Sequence, residues 1–137
     1  MAYITQTNIE DLAGTDNVAI WSNLDNSTAT TDTARVAKAI AWAESTAHTR
    51  LRDRFVIPLT PVTGTMAADA ADVIDVLAKL AASWLYSSRR AREGDATDIP
   101  GGWRKEAEEI MDLWNGGSRQ VNLVRRSGRR TSVAVAV

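Results

Sequence analysis

The chain's one histidine, His48, follows Glu44 by four residues within a stretch of helical periodicity, so the carboxylate and imidazole share one face at a spacing that suits a metal ion. Two ligands fall short of the three or four that a zinc site takes from protein, and Asp53 lies too far round the helix to supply another. The pair therefore reads as an ordinary exposed pair with no metal. Asp69, Asp72 and Asp75 are a second candidate set, for acid/base work. They stand at the head of a helix whose last turns carry Arg89, Arg90 and Arg92, and complementing the helix dipole accounts for both groups. The loop from Asp25 to Asp32 has the acidic look of a calcium loop but lacks the turn glycine and closing glutamate of an EF-hand. Gly101-Gly102-Trp103-Arg104-Lys105 matches neither a P-loop nor a dinucleotide fingerprint. The absence of cysteine excludes disulfides, thiolate nucleophiles and cysteine-bound zinc or iron–sulfur clusters. The sequence thus offers no catalytic, cofactor or metal residues, and the expectation is a protein that is not an enzyme.

The residues from Gln120 to Val137 carry a different kind of chemistry. Apolar side chains alternate at Val121 and Leu123 and again at Val133, Val135 and Val137, on either side of Ser127-Gly128, a hairpin-turn signal. Arg125, Arg126, Arg129 and Arg130 flank that turn. Burying five such apolar side chains gives roughly 1.5 to 3 kcal/mol each, whereas ordering about eighteen residues costs roughly 1 to 2 kcal/mol per residue. Burial alone does not order this segment, which reads as an arm for a partner. The competing reading places the four arginines on nucleic-acid phosphates, with binding that weakens steeply as salt rises. Charge is polarised along the whole chain: Glu10, Asp11, Asp16, Asp25 and Asp32 all precede the first basic residue, Arg35, whereas every charge after Gly117 is an arginine. An acidic front and a basic back are the complementary patches that a head-to-tail contact between copies requires. Asp25 and Asp32, with Trp42, are the candidate subunit-interface residues.

With 137 residues, the chain has the size of one domain with appendages. Thr7-Asn8-Ile9-Glu10 fits a capping box for a short helix ending near Gly14, and Asp16 can cap another short turn carrying Val18, Ile20, Trp21 and Leu24. Val36, Ile40, Ala43, Ala47, Leu51 and Phe55 form the stripe of a long helix, from which Trp42 projects to a different side, so that this helix meets two neighbours. Pro58 and Pro61 end it in an extended connector. A second long helix is predicted over about Met66 to Arg92, with Ala70, Val73, Leu77, Leu80 and Trp84 on one stripe and Ile74, Ala78, Ala81 and Leu85 beside it. Leu77 and Trp84 should be nearly inaccessible there. A third carries Trp103, Ala107, Ile110 and Trp114 and stops at Gly116-Gly117. The fold class is mainly α: a small bundle of two long antiparallel helices plus shorter ones, with a C-terminal β-hairpin or extended arm. The division is a helical body over 1–117 and an arm over 118–137. No segment is apolar enough to span a membrane and the first residues lack the pattern of a signal peptide, so a soluble, unexported protein is expected.

Three passages resemble the head-to-tail connectors, or adaptors, of tailed phages, in particular the branch found in Mu-like prophages. They are Y-I-T-Q-T-N-I-E-D-L at Tyr3 to Leu12, R-L-R-D-R-F-V-I-P-L-T-P-V at Arg50 to Val62, and W-R-K-E-A-E-E-I-M-D-L-W-N-G-G at Trp103 to Gly117, followed by Val121 and Leu123. Their order and spacing carry the likeness, which covers nearly the whole body and departs from the family pattern in the arginine-rich end. The resemblance implies a structural virion protein without catalysis that sits in the neck between capsid and tail after assembly in the host cytoplasm. It implies a homo-oligomeric ring of about twelve copies below the portal protein, a docking surface for a tail or tail-terminator protein, DNA passing through the channel without sequence recognition, and no membrane.

Overall fold

In the computed structural model, which describes residues 3–23, 30–88 and 99–126, six helices follow one another. They are α1 (Gln6–Ala13), α2 (Thr15–Ser22), α3 (Thr33–Leu51), α4 (Met66–Asp69), α5 (Ala71–Ser88) and α6 (Ile99–Gly116). The protein is mainly α-helical. Helix α5 is the axis: it touches each of the other five, with α3 and α6 making the most extensive contacts along it. Its sequence explains this, because Val73, Val76, Leu77, Leu80, Ala81 and Leu85 are all buried and cover more than one face. Ser83 tolerates burial by donating its hydroxyl to the Leu80 carbonyl at 2.8 Å. On α3 the buried stripe is Val36, Ala39, Ala43, Ala47 and Leu51, whose small alanines let the helix approach α5 closely. Ala107, Met111 and Trp114 bring α6 to the same core.

Several local expectations shift. The cap of α1 is Thr5 rather than Thr7, with the Asn8 Oδ1 accepting from the Thr5 backbone N–H at 2.8 Å. The helix expected from Met66 onward is broken at Ala70, whose backbone leaves the helical region at φ −135° and ψ 45°. Two contacts make the break. The Asp69 carboxylate turns back to the Thr65 N–H at 2.8 Å, and the Asp69 carbonyl is taken at 3.2 Å by the Asn122 amide. Gly64, at φ 74°, is required beside it, since a Cβ there would sit 1.7 Å from the Asp69 carboxylate. Asp69 is thus a local staple, and Asp75 pairs with Lys79 at 3.0 Å. Trp84 is half-buried rather than inaccessible, its ring meeting the Arg35 guanidinium at 5.0 Å, whereas Leu77 is fully buried as expected. Helix α6 begins at Ile99, before Gly101-Gly102 rather than after them. Leu24 and Arg89, Arg90 and Arg92 lie outside the described residues.

After α6 the chain turns at Gly117, φ 77°, and lies back along the body. Leu123 is buried in the main core and Val121 packs against it. Phe55 and Arg125 form an antiparallel bridge, reinforced by Val56 N–H to Val124 O at 2.9 Å, Arg126 N–H to Arg54 O at 2.8 Å and Val124 N–H to Thr60 O at 2.8 Å. Strand-like pairing therefore joins residues 124–126 to the connector after α3. The expected hairpin partner, including Val133, Val135 and Val137 with Arg129 and Arg130, lies outside the described residues.

Candidate functional site

The antiparallel bridge and the turn at Gly117 bring together arginines far apart in sequence. Arg54, Arg119 and Arg125 line a cleft of about 270 Å³ whose remaining wall is Phe55, Val62, Trp114, Val121, Leu123 and the Gln120 segment. Arg54 is held there by its Nη1 donating to the Asn115 carbonyl at 3.4 Å and by the Phe55 ring, 5.9 Å from the guanidinium carbon. Gly117 leaves room for it: a Cβ at that position would stand 3.2 Å from Arg54 Nη2. Among the described residues, none of the three arginines pairs with a carboxylate, the buried Arg54 Nε has no hydrogen-bond partner, and neither does the indole N–H of the buried Trp114. Val62, at 62 % exposure, and Leu113, at 43 %, stand near this end of the molecule as uncovered large apolar side chains. A basic rim above an apolar wall suits an anionic group on an apolar stem.

The opposite end of α6 has the opposite character. Trp21 of α2 packs edge-on against Tyr86 at 5.3 Å and Trp103 at 6.4 Å, which fixes α2 beside the start of α6. Val18, Ala19 and Ser22 face inward, whereas Asp16 and Ile20, one helical turn apart, are both exposed, Ile20 by 44 %. With Asp11 also exposed and Glu10 half-exposed, the described N-terminal segment bears only acidic charge.

Glu44 and His48 serve to anchor the N-terminus. The Tyr3 backbone N–H donates to the Glu44 carboxylate, and the Tyr3 hydroxyl lies 2.7 Å from His48 Nε2 while accepting from the Leu59 N–H at 2.8 Å. Burial lowers the pKa of His48, opposed by Glu44 and aided by Arg52. Burial likewise raises that of Tyr3, with the Leu59 hydrogen bond acting the other way and the Glu44 charge adding to the rise. Neutral Tyr3 and neutral His48 are the matched pair. No group of three or more metal-ligating side chains occurs among the described residues.

The other residues singled out from sequence lie as follows. Arg125 and Arg126 are exposed; Arg126 also donates to the Arg52 carbonyl at 2.9 Å. Val121 and Leu123 pack inward. Asp32 caps α3, accepting from the Ala34 and Arg35 N–H groups at 3.1 and 3.2 Å. Trp42 is half-buried and carries the Arg104 guanidinium of α6 at 5.2 Å, so α3's second neighbour is α6. Asp25 lies outside the described residues. Sequence reasoning had not grouped Arg54 and Arg119 with Trp114, because only the long-range bridge makes them neighbours.

A small helical body with an arginine-rimmed cleft at one end and an acidic helix at the other is the class the geometry defines. The chain belongs to the family described as Bacteriophage Mu, Gp36, whose model matches residues 3–126. It is accordingly a Mu-like phage protein, and the family points to a structural or assembly component. No curated protein matches the chain. Among the described residues no helix is long and apolar enough to cross a membrane.

Proposed function

We propose that this protein is a head-to-tail connector of a tailed phage, a non-catalytic component that assembles as a ring below the portal, extends the DNA channel and offers the tail a docking surface. The observation that carries this reading is the pair of unlike patches at opposite ends of one rigid helical body, in a chain of the Mu Gp36 family. Closed rings of identical subunits need two different surfaces that fit each other, not one self-complementary patch. The test is to mix the purified chain with purified portal rings and analyse the product by sedimentation and electron microscopy. The reading expects a stoichiometric collar on one face of the portal; portals that sediment unchanged at saturating protein would refute it.

The exposed Arg125 and Arg126 favour one competing reading, a nucleic-acid accessory protein. The two differ in salt response. Phosphate binding through these arginines weakens steeply with ionic strength, whereas a collar held partly by apolar contacts persists.

A further inference from the structure

Among the described residues, the arginine-rimmed cleft has an unsatisfied guanidinium Nε and indole N–H in its wall, three guanidiniums without a carboxylate, and an exposed valine at its edge. We propose that this cleft is the docking site for helix α2 of a second copy of the chain, with the Asp16 carboxylate received by Arg119 and its neighbours and Ile20 received against Val62 and the apolar wall. The inference deepens the connector reading, since it names the contact through which copies would join.

Three observations select this occupant. First, the ligand chemistry matches at two points at once. Asp16 and Ile20 stand four residues apart on the exposed side of α2, a carboxylate beside an uncovered apolar side chain, and the cleft presents guanidiniums beside uncovered apolar surface. Second, the remaining described large apolar side chains that are exposed, Val62 and Leu113, both lie at the cleft end, while Ile20 lies at the other. Third, the match cannot close within one molecule. Helix α2 is fixed beside Trp103 and the cleft is built on Trp114, eleven residues further along α6, a separation of roughly 16 Å at the rise of an α-helix. The contact is therefore head-to-tail and leaves each copy with one free cleft and one free helix, which is the condition for a ring or a filament. A phosphate backbone meets the rim alone and leaves the apolar wall uncovered, so it is the poorer fit.

The chain contains no cysteine, which makes directed crosslinking clean. Full-length Ile20→Cys and Val62→Cys proteins are to be mixed in equal amounts under mild oxidation. The proposal expects mixed disulfide dimers several-fold above the share given by random collision. Adding Arg119→Glu to the Val62→Cys chain should remove that excess, and adding Asp16→Arg to the Ile20→Cys chain should then restore it. A statistical mixture, or an excess that ignores both charge reversals, would overturn the docking. So would loss of the excess on adding short duplex DNA at low salt, which would assign the cleft to phosphate. The connector reading is judged separately by the portal assay: a collar that forms while the crosslink stays statistical rejects this contact alone, and a charge-dependent crosslink without a collar rejects the connector reading alone.

Discussion

Replacing Leu123 by alanine tests whether the segment after α6 belongs to the body. The side chain is 2 % exposed and lies in the main core cluster, and the residues on either side are tied down independently. Asn122 accepts from the Val62 N–H at 3.1 Å and donates to the Thr63 carbonyl at 2.9 Å, while Val124 exchanges backbone bonds with Val56 and Thr60. Because those ties hold the backbone in place, the site cannot collapse easily to refill the lost volume, and the cavity term adds to the transfer term. The expected loss is about 3 kcal/mol, within the roughly 2 to 5 kcal/mol range of buried leucine truncations. In a domain of this size that lowers Tm by roughly 10 °C. Urea unfolding followed by helical circular dichroism measures it, with Arg125→Ala, an exposed neighbour, as a control expected to change stability by less than about 0.5 kcal/mol. Equal midpoints for Leu123→Ala and wild type would show that this segment does not fold on the body. The same reasoning bears on truncation: ending the chain after Gly117 removes a core residue, Leu123.

Gly64→Ala should destabilise by about 1 to 3 kcal/mol, because alanine is strained at φ 74° and its Cβ would displace the Asp69 carboxylate from the Thr65 N–H; thermal unfolding reads this, and an unchanged Tm would contradict the staple. Trp84→Ala should cost about 2 kcal/mol, below the usual 3 to 5 for a buried tryptophan, since one side of the ring faces Arg35, and a larger loss in urea unfolding would show deeper burial. The lowered pKa of His48 means that its contribution is complete above the ordinary histidine value of about 6.5 and is lost as pH falls through its lower folded value. The stability difference between wild type and His48→Ala should therefore narrow as pH falls below about 6.5, and a gap that widens on acidification would reverse the sign of the argument. The raised Tyr3 value acts at the other limit, stabilising below about pH 10 and losing that contribution as pH rises through the folded value, an alkaline loss that Tyr3→Phe should abolish.

What was legible in sequence was governed by local periodicity. The stripe on α3, the buried Leu77 and the stop at Gly116-Gly117 follow from spacing and turn chemistry within a few residues. What was not legible depended on partners distant in the chain. The break at Ala70 is made partly by the local Asp69–Thr65 contact and partly by Asn122, 53 residues on from Asp69, a partner that the alanine- and aspartate-rich stretch does not announce. The alternation of Val121 and Leu123 marks two side chains that pack inward, but the backbone bends between them, with the Leu123 N–H on the Val121 carbonyl at 2.9 Å, and alternation does not say which surface receives them; here it is the protein's own core. The cleft was hidden for the same reason. Arg54, Arg119 and Arg125 become neighbours only through the pairing of Phe55 with Arg125. Asp32 and Trp42, conspicuous in sequence as acid and aromatic, have intramolecular work as a helix cap and as the seat of Arg104.

The most direct test of the connector account is electron microscopy of particles made by a phage of this type with the gene disrupted and then supplied in trans. The account predicts DNA-filled or leaking heads and separate, complete tails without the protein, and joined, infectious particles on complementation. Heads and tails that join normally in its absence would contradict it.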